Sequence, residues 1–343
     1  MTDLNADTEH QLNPIQKRDS SDLVHGSIEQ LFQLKKKYRS LKTLLSVGGA
    51  SFSNNGIFTA PSNSSEGRRA FAESVVKLVS EYGFDGVDID WEYPQPNEAN
   101  DFAAMIKQTR KALDRYAQRN RQDYHYQLTI AVSSNARNYA ALNLKELDRY
   151  VDAWHLMAYD YSGSFSRFAS HQAGVYADAA DPDSTETTTN AAVQGYLTGG
   201  VPSDKLVLGM PLYGRVFQDT NGLGQAFDNS KTKQLESTSA SDYLYNELPK
   251  DGAKVHVDKK VMAAWTYNTT SRELVSFDNP ETTRLKAKYV QDQGLAGAMF
   301  WEASGDKPGK DSLVKIMSEN MGQLDDSPNM LDYPESPWGN IGH

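Results

Sequence analysis

The sequence has no cysteine among its 343 residues, which excludes disulfides, thiolate nucleophiles and cysteine-ligated zinc. It also lacks long apolar runs, and none approaches the roughly 20 residues that a membrane-spanning helix needs. The first residues, MTDLNADTEHQLN, contain no apolar stretch typical of a secretory signal, so we expect no export signal in this chain. Basic residues are outnumbered, and the net charge of -10 argues against nucleic acid or an anionic membrane as a partner.

The rest of the composition is that of a globular protein with a core, at 38% hydrophobic and 23% charged residues. Aromatic residues reach 10%, including 18 Tyr and 5 Trp, which fits either a flat ligand such as a carbohydrate or an aromatic-rich core. The 7 histidines show no ligand spacing such as H-E-x-x-H, so we expect neither a metal nor another cofactor.

Apolar periodicity predicts that helices and strands alternate six times along the chain. The predicted helices include residues 24–32, 71–82, 102–116, 144–150, 191–197 and 285–290. The predicted strands are residues 41–49, 86–92, 126–134, 152–161, 205–215 and 294–304. Strands this apolar are typical of a parallel sheet covered on both faces, so the sequence predicts an α/β fold.

Two stretches break this alternation. Residues 216–277 consist of short mixed segments such as KVHVD and MAAWTYN, which predict an inserted α+β subdomain between the last two strands. The tail from Leu324 is rich in proline, aspartate and glycine, and we expect it to form a peripheral strap.

The stretch FDGVDIDWEYP, residues 84–94, places Asp88, Asp90 and Glu92 at alternate positions of one predicted strand. Alternate side chains share a face of a strand, so the three carboxylates point one way and the apolar residues between them point the other. Such a row is costly in a core but is expected at the carboxyl-terminal mouth of a parallel barrel, where catalytic groups lie. Neighbouring carboxylates oppose each other's ionisation, so one pKa should rise.

Two other interpretations of this row of acids are a solvated edge strand and a calcium loop. A solvated edge strand can carry alternating acids, but the apolar residues between these acids disfavour it. A calcium loop needs glycine at its sixth position, and counting from Asp88 that position is Tyr93.

The pattern D-G-x-D-x-D-x-E formed by Asp85, Gly86, Asp88, Asp90 and Glu92 resembles the signature of the family-18 glycoside hydrolases, the chitinases. Further blocks similar to that family occur in the same order, and the resemblance covers about residues 25–335. These blocks are LLSVGG, which carries Ser46, Gly48 and Gly49, then MAYD (157–160), MPLYGR (210–215) and MFWEAS (299–304).

The resemblance implies a TIM-type (β/α)8 barrel as a catalytic domain over residues 1–343, with the inserted subdomain at 216–277. Only six strands are recognisable, because LLSVGG corresponds to the third barrel strand and too little apolar sequence precedes it. We therefore expect a barrel that is truncated at its N-terminus. The first and last recognisable strands would then have unpaired edges.

The resemblance also implies a retaining mechanism in which the N-acetyl group of the substrate is the nucleophile. Glu92 would be the general acid, with Asp90 orienting the acetamido group, Asp88 setting the protonation of the pair, and Tyr159 bonding the acetamido oxygen. The implied substrate-binding residues are Trp91, Gly49, Met157, Asp160, Tyr213, Arg215 and Trp301. Asp85 is expected to be structural and to bind backbone at the beginning of the strand.

The expected function is hydrolysis of β-1,4-N-acetylglucosamine linkages in chitin and chito-oligosaccharides by a monomer. The alternatives are a catalytically impaired chitin-binding protein, a truncated remnant, and an endo-N-acetylglucosaminidase, which the inserted subdomain disfavours. Family members are usually exported, whereas the sequence shows no export signal, so the compartment is left open.

Overall fold

Parallel strands form the framework of the fold, and the computed structural model describes residues 23–232 and 242–342. The strands, in chain order, are β1 (Leu44–Gly48), β2 (Gly86–Asp90), β3 (Gln127–Ser133), β4 (Ala153–Met157), β5 (Leu206–Pro211), β6 (Tyr213–Phe217), β7 (Asp242–Leu244), β8 (Lys254–Asp258), β9 (Ala263–Asn268), β10 (Glu273–Phe277) and β11 (Gly297–Trp301). A six-stranded sheet has the order β1-β2-β3-β4-β5-β11, and a five-stranded sheet has the order β7-β6-β10-β9-β8. The six-stranded sheet confirms the predicted number of parallel strands.

Helices alternate with these strands, as the periodicity predicted. They are α1 (Ser27–Lys37), α2 (Ala50–Ser53), α3 (Thr59–Ser62), α4 (Ser65–Tyr82), α5 (Ala99–Arg119), α6 (Ala136–Tyr139), α7 (Leu144–Asp148), α8 (Thr189–Gly199), α9 (Pro280–Gln293), α10 (Leu313–Asn320) and α11 (Gly339–Gly342). Across the described ranges, none of these helices combines the length and apolar character that a bilayer span requires.

The chain divides into two compact units. Among the described residues, those of unit 1 lie within the ranges 1–130, 146–152 and 325–343, and those of unit 2 lie within 131–145 and 153–324. In unit 1, β2 pairs in parallel with β1 and with the first part of β3, and the pairing with β1 runs from Leu44↔Gly86 to Gly48↔Asp90.

The long helices of unit 1 begin and end where their sequences direct. The Ser64 hydroxyl accepts the Gly67 N–H at the start of α4, and Gly83 ends that helix in the left-handed conformation at φ 75. Along α5, the predicted apolar face from Phe102 to Tyr116 is buried. These helices therefore bury the face that the 3.6-residue period predicted.

Asp85 fixes several parts of unit 1 at the beginning of β2. Its carboxylate accepts the backbone N–H groups of Thr43 at 2.7 Å and Met330 at 2.8 Å, and the Tyr124 hydroxyl at 2.9 Å. It also forms an ion pair with Lys35. Asp85 thus binds backbone as predicted, and it ties the C-terminal segment to the start of the strand.

In unit 2, the predicted strand 205–215 is two strands that belong to different sheets. β5 ends at Pro211 and pairs with β4 and β11, whereas β6 begins at Tyr213 and pairs with β7 and β10. The chain passes from one sheet to the other at Leu212, because its N–H donates to the Trp301 carbonyl of β11 and its carbonyl accepts the Tyr245 N–H, which follows β7. The single-strand prediction was therefore wrong at this point.

The antiparallel sheet of unit 2 lies within residues 213–277. The prediction of a separate inserted subdomain at 216–277 overlaps this sheet and stays a prediction. After the sheet, Asn279 caps α9 by accepting two backbone N–H groups, and Gly294 ends the helix at φ 62.

The first and last strands of the parallel sheet, β1 and β11, each have one neighbouring strand among the described residues. Trp301 at the end of β11 is 56% exposed, whereas Trp154 on the inner strand β4 is 0% exposed. In the part of the chain that the structure describes, β1 and β11 are therefore the unpaired edges that the sequence predicted, and β11 carries an exposed tryptophan.

Candidate active site

A row of carboxylates follows β2 toward its carboxyl end. Val87 and Ile89 are fully buried, while Asp88 and Asp90 alternate with them and are only partly buried. The strand ends at Asp90, and Glu92 follows it as a half-buried residue of the next segment. The alternation predicted from the sequence is therefore observed for the two aspartates, and Glu92 lies just beyond the strand.

Asp88 is held from both neighbouring strands. The Ser46 hydroxyl on β1 donates to Oδ2 at 2.9 Å, and the Thr129 hydroxyl on β3 donates to Oδ1 at 2.6 Å. Hydrogen bonds donated to a carboxylate stabilise its charged form, so this position is suited to negative charge. Thr129 was not identified from the sequence, because a threonine in a strand is unremarkable without its cross-strand neighbour.

Asp90 is the carboxyl group of the row that retains a proton. Burial, followed by the nearby charges of Glu92 and Asp88, raises its pKa to about 8. Its buried Oδ1 has no hydrogen-bond partner within the described part of the chain. At neutral pH, Asp90 therefore carries a proton and Asp88 is placed to carry the charge.

Two glycines bring β1 against the backbone of Asp90. A Cβ on Gly48 would lie 2.0 Å from the Asp90 carbonyl oxygen, and Gly48 has a φ of +126. Gly49, at φ 93, donates its N–H to the same carbonyl at 2.8 Å. Only glycine permits this approach. Gly49 thus supports the acid row in the structure, and its predicted contact with substrate stays a prediction.

Ser53 on α2 is a further residue at the row that sequence reasoning missed. Its hydroxyl donates to the Asp90 carbonyl at 3.3 Å and accepts the Glu92 N–H at 2.9 Å. The only signal in the sequence is a serine four residues after the paired glycines, which by itself does not reveal either contact.

Trp91 lies in the apolar core of unit 1, at 5% exposure. Its ring stacks on Phe58 at 5.1 Å between centroids and meets Phe102 edge-on at 5.5 Å. The side chain points away from Asp90, as the strand period requires. The structure therefore places the Trp91 ring in the packing of unit 1, and its predicted contact with substrate stays a prediction.

Unit 2 contains a second group of predicted site residues. Tyr159 and Tyr213 are buried together, with ring centroids 6.2 Å apart in an edge-to-face arrangement, and Met157 packs against them. Met157 ends β4, Tyr159 follows that strand, and Tyr213 begins β6. The structure thus brings Met157, Tyr159 and Tyr213 into one cluster.

Asp160 organises the polar part of this cluster. Its Oδ1 accepts the Tyr213 hydroxyl at 2.6 Å and the Arg215 Nε–H at 2.8 Å. Burial, together with the charge of Asp160, raises the pKa of the Tyr213 phenol well above its ordinary value. Tyr213 therefore stays protonated as a donor, and the three predicted residues Asp160, Tyr213 and Arg215 form one hydrogen-bonded group.

Trp301 is the remaining predicted residue, and it ends β11 with 56% of its surface exposed. An exposed indole face can stack on a sugar ring through its C–H groups. Within the described residues, no group of three or more His, Asp or Glu side chains is arranged to hold a metal ion.

An α/β sheet with carboxylates in a row at the carboxyl end of one parallel strand is typical of glycoside hydrolases. Residues 4–306 match the family model described as glycosyl hydrolases family 18, and the chain belongs to that family. The resemblance inferred from the sequence motifs is therefore confirmed.

The relatives of this chain include fungal chitinases. It is 40% identical over 319 residues to Chitinase 1 of Aphanocladium album, covering 93% of this chain and 74% of that protein. It is also 40% identical over 324 residues to Endochitinase 1 of Metarhizium robertsii, covering 94% of this chain and 75% of that protein. A solved chitinase structure from Bacillus thuringiensis superposes with a TM-score of 0.77 at 29% identity, covering 88% of this chain and 54% of that one.

Proposed function

We propose that this protein is a chitinase that hydrolyses β-1,4 linkages between N-acetylglucosamine units of chitin and chito-oligosaccharides. The family membership and the chitinase relatives support the substrate class. The observation that carries the proposal is the acid row, in which Asp88, Asp90 and Glu92 are all present and Asp90 has a pKa raised to about 8.

Glu92 is the general acid in this mechanism. The proton that Asp90 holds moves to Glu92 when substrate binds, and it passes from the Glu92 carboxyl to the glycosidic oxygen while the bond from that oxygen to the anomeric carbon breaks. The acetamido carbonyl oxygen of the same sugar attacks the anomeric carbon and forms a cyclic oxazolinium ion. Water then opens the ring at the anomeric carbon and returns a proton to the Glu92 carboxylate. Two inversions at that carbon give net retention.

Asp90 and Asp88 prepare this step from behind Glu92. Protonated Asp90 has a hydrogen to donate, and its unpartnered Oδ1 is an available acceptor for the acetamido N–H of the substrate. The negative charge remains on Asp88, where the Ser46 and Thr129 hydroxyls stabilise it. When the oxazolinium forms, its positive charge favours ionisation of the row, which stabilises the intermediate.

Residues of unit 2 are assigned to the sugar chain. Tyr159 is proposed to donate to the acetamido oxygen, and Asp160, Tyr213 and Arg215 to bind hydroxyl and acetamido groups. Trp301 supplies the apolar surface beneath a sugar ring. The preformed hydrogen bonds of Asp160 with Tyr213 and Arg215 support the assignment of these three residues, because groups already oriented lose little entropy when a ligand binds.

The test is product release from chitotetraose by the wild-type chain and by Glu92→Gln. We expect the wild type to release shorter oligosaccharides and the variant to lose activity by about 10²-fold to 10⁴-fold, because general acid catalysis contributes that much. Glu98→Gln is the matched control, since Glu98 is six residues away and instead accepts from Thr59 and the Gln95 N–H.

The oligosaccharide assay also separates the alternatives. A folded wild-type protein that releases no product but is retained on chitin beads would be a chitin-binding protein, and the enzymatic proposal would fail. Activity that persists in Glu92→Gln would leave hydrolysis standing and overturn the assignment of Glu92.

A further inference from the structure

The Ser53 hydroxyl spans the two residues that end the acid row. It donates to the carbonyl oxygen of Asp90 at 3.3 Å and accepts the backbone N–H of Glu92 at 2.9 Å. Ser53 is only 7% exposed, so water has little access to compete for these groups. One buried hydroxyl therefore satisfies a carbonyl and an amide on either side of Trp91.

The backbone hydrogen bonds between β1 and β2 end just before the position at which the Ser53 hydroxyl bonds Glu92. Pairing between β1 and β2 ends at Gly48↔Asp90, and the Gly49 N–H adds a last bond to the Asp90 carbonyl at 2.8 Å. From Ala50 the chain turns into α2, so it offers no strand partner to the Glu92 N–H. The Ser53 hydroxyl is the acceptor for that N–H.

Ser53 is itself held firmly in place. Its N–H donates to the Gly49 carbonyl at 2.9 Å in the first turn of α2. Ser53 is therefore bonded through its backbone to Gly49, the same glycine whose N–H bonds the Asp90 carbonyl. A side chain fixed in this way can transmit the geometry of β1 to the backbone of Glu92.

We propose that Ser53 is a positioning residue for the general acid, a role that rests on the proposed chitinase function. Glu92 lies beyond the end of β2, and the Ser53 hydroxyl holds its backbone N–H at that point. A displacement of about 1 Å at a reacting group can cost on the order of 10²-fold in rate. Ser53 thus governs proton donation without touching the substrate.

The test compares two substrates that differ in their need for an acid. Chitotetraose has a sugar leaving group that must be protonated, whereas the 2,4-dinitrophenyl glycoside of chitobiose has a leaving group that departs without a proton. Because kcat/KM reports the step in which the leaving group departs, we expect Ser53→Ala to lower kcat/KM on chitotetraose about 10-fold to 100-fold and on the dinitrophenyl substrate by less than about 3-fold. KM should change little for either substrate.

The ratio of the two rates does not depend on how much of the sample is folded, so a partly unfolded variant still gives a clear answer. Ser53→Thr keeps a hydroxyl and is expected to restore the wild-type ratio. Ser62→Ala is the matched control, since Ser62 is a buried serine on the neighbouring helix α3 whose hydroxyl bonds the Thr59 carbonyl. Its ratio should equal that of the wild type.

An equal fall on both substrates in Ser53→Ala would overturn the positioning role and reduce Ser53 to a structural residue. The same conclusion follows if Ser53→Thr keeps the alanine ratio. A wild-type protein that is inactive on both substrates would instead overturn the proposed function, and with it this role for Ser53.

Discussion

Lys35 Nζ and Asp85 Oδ2 lie 2.8 Å apart, and both side chains have 0% exposure. Lys35 also donates to the Gly83 carbonyl at 2.5 Å and to the Tyr333 hydroxyl at 3.0 Å. Burial lowers the pKa of Lys35 to about 8, and the Asp85 charge opposes that change. The ion pair therefore links α1, the start of β2 and the C-terminal segment in the interior of unit 1.

Removing the Asp85 charge is expected to destabilise the protein strongly. Asp85→Asn leaves the Lys35 ammonium buried without its counter-charge, and breaking a buried pair in this way costs about 3–5 kcal/mol. Urea unfolding at neutral pH measures the free energy of unfolding. The control is Asp325→Asn, because Asp325 is 68% exposed in its pair with Lys42, and exposed pairs contribute about 0–1 kcal/mol. Similar small losses in both variants would contradict the prediction.

Gly48→Ala is expected to damage both the fold and the acid row. The new Cβ would lie 2.0 Å from the Asp90 carbonyl oxygen at a φ of +126, so β1 must move away from β2. Backbone strain and overpacking together cost about 3 kcal/mol or more. Gly297→Ala on β11 is the control, because a Cβ there meets nothing within 4 Å. Thermal melts and chitotetraose activity check both variants, and a normal Gly48→Ala protein would refute the close approach.

The raised pKa of Asp90 makes stability depend on pH. The folded state keeps a proton that the unfolded chain, at its ordinary value of 3.8, releases, so the stability from this group is full below about pH 4. That stability is lost as the pH rises through about 8. We expect Tm to fall between about pH 5 and about pH 9 in the wild type, and to fall less in Asp90→Asn. The exposed control Asp123→Asn should follow the wild type, whereas parallel curves for all three proteins would contradict the assignment.

His171 in unit 2 makes the stability depend on pH in the opposite direction. It is 2% exposed, and burial lowers its pKa from 6.5 to about 4. The unfolded chain therefore binds more protons between these values, so the stability is present above about pH 6.5 and is lost as the pH falls toward 4. The full shift corresponds to about 3 kcal/mol.

Urea unfolding at about pH 7 and about pH 4.5 tests the His171 prediction. Relative to the wild type, His171→Gln should gain stability as the pH falls over that interval. His256→Gln is the control, since His256 stacks on the same Trp265 ring at 5.0 Å but is less enclosed than His171. If the two variants respond alike to acid, the buried imidazole is not the source of the dependence.

Much of the fold could be predicted because its signals are local. The strand period placed Asp88 and Asp90 on one face and Val87 and Ile89 on the other, and the structure agrees. The change of sheet at Leu212 could not be predicted, because it depends on hydrogen bonds to residues about 30 to 90 positions away in the chain, namely Tyr245 and Trp301.

In the candidate site too, local features could be predicted from sequence and contacts between distant residues could not. Sequence predicted that one carboxyl group of the row would have a raised pKa, but only the burial of Asp90 identifies which one. Ser53 and Thr129 were missed because the role of a hydroxyl depends on the group that it bonds. Ser53 on helix α2 bonds Glu92, and Thr129 on β3 bonds Asp88 on β2, so neither contact can be predicted from local sequence. Packing of the Trp91 ring against Phe58 and Phe102 could not be predicted from sequence, because it depends on residues from two separate parts of the chain.

Asp160 offers a test of the hydrogen-bonded group in unit 2. It has a φ of 57, a left-handed conformation that asparagine tolerates about as well as aspartate and alanine does not. Asp160→Asn keeps an acceptor for Tyr213 and Arg215 but removes the charge. A hydrogen bond from the substrate to a charged carboxylate contributes about 1.5–3 kcal/mol, and the variant weakens it. We therefore expect kcat/KM on chitotetraose to fall about tenfold or more, while Tm changes little because Tyr213 and Arg215 keep an acceptor.

Asp160→Ala should lose activity and also stability, since it adds about 1–2 kcal/mol of backbone strain. Asp219→Asn is the control for the backbone, because Asp219 has a φ of 54 and pairs with Lys231 and Arg272. Its kinetics should match the wild type. Wild-type kinetics combined with a lowered Tm in Asp160→Asn would show that Asp160 only supports the fold, because a substrate-binding carboxylate must affect kcat/KM when its charge is removed.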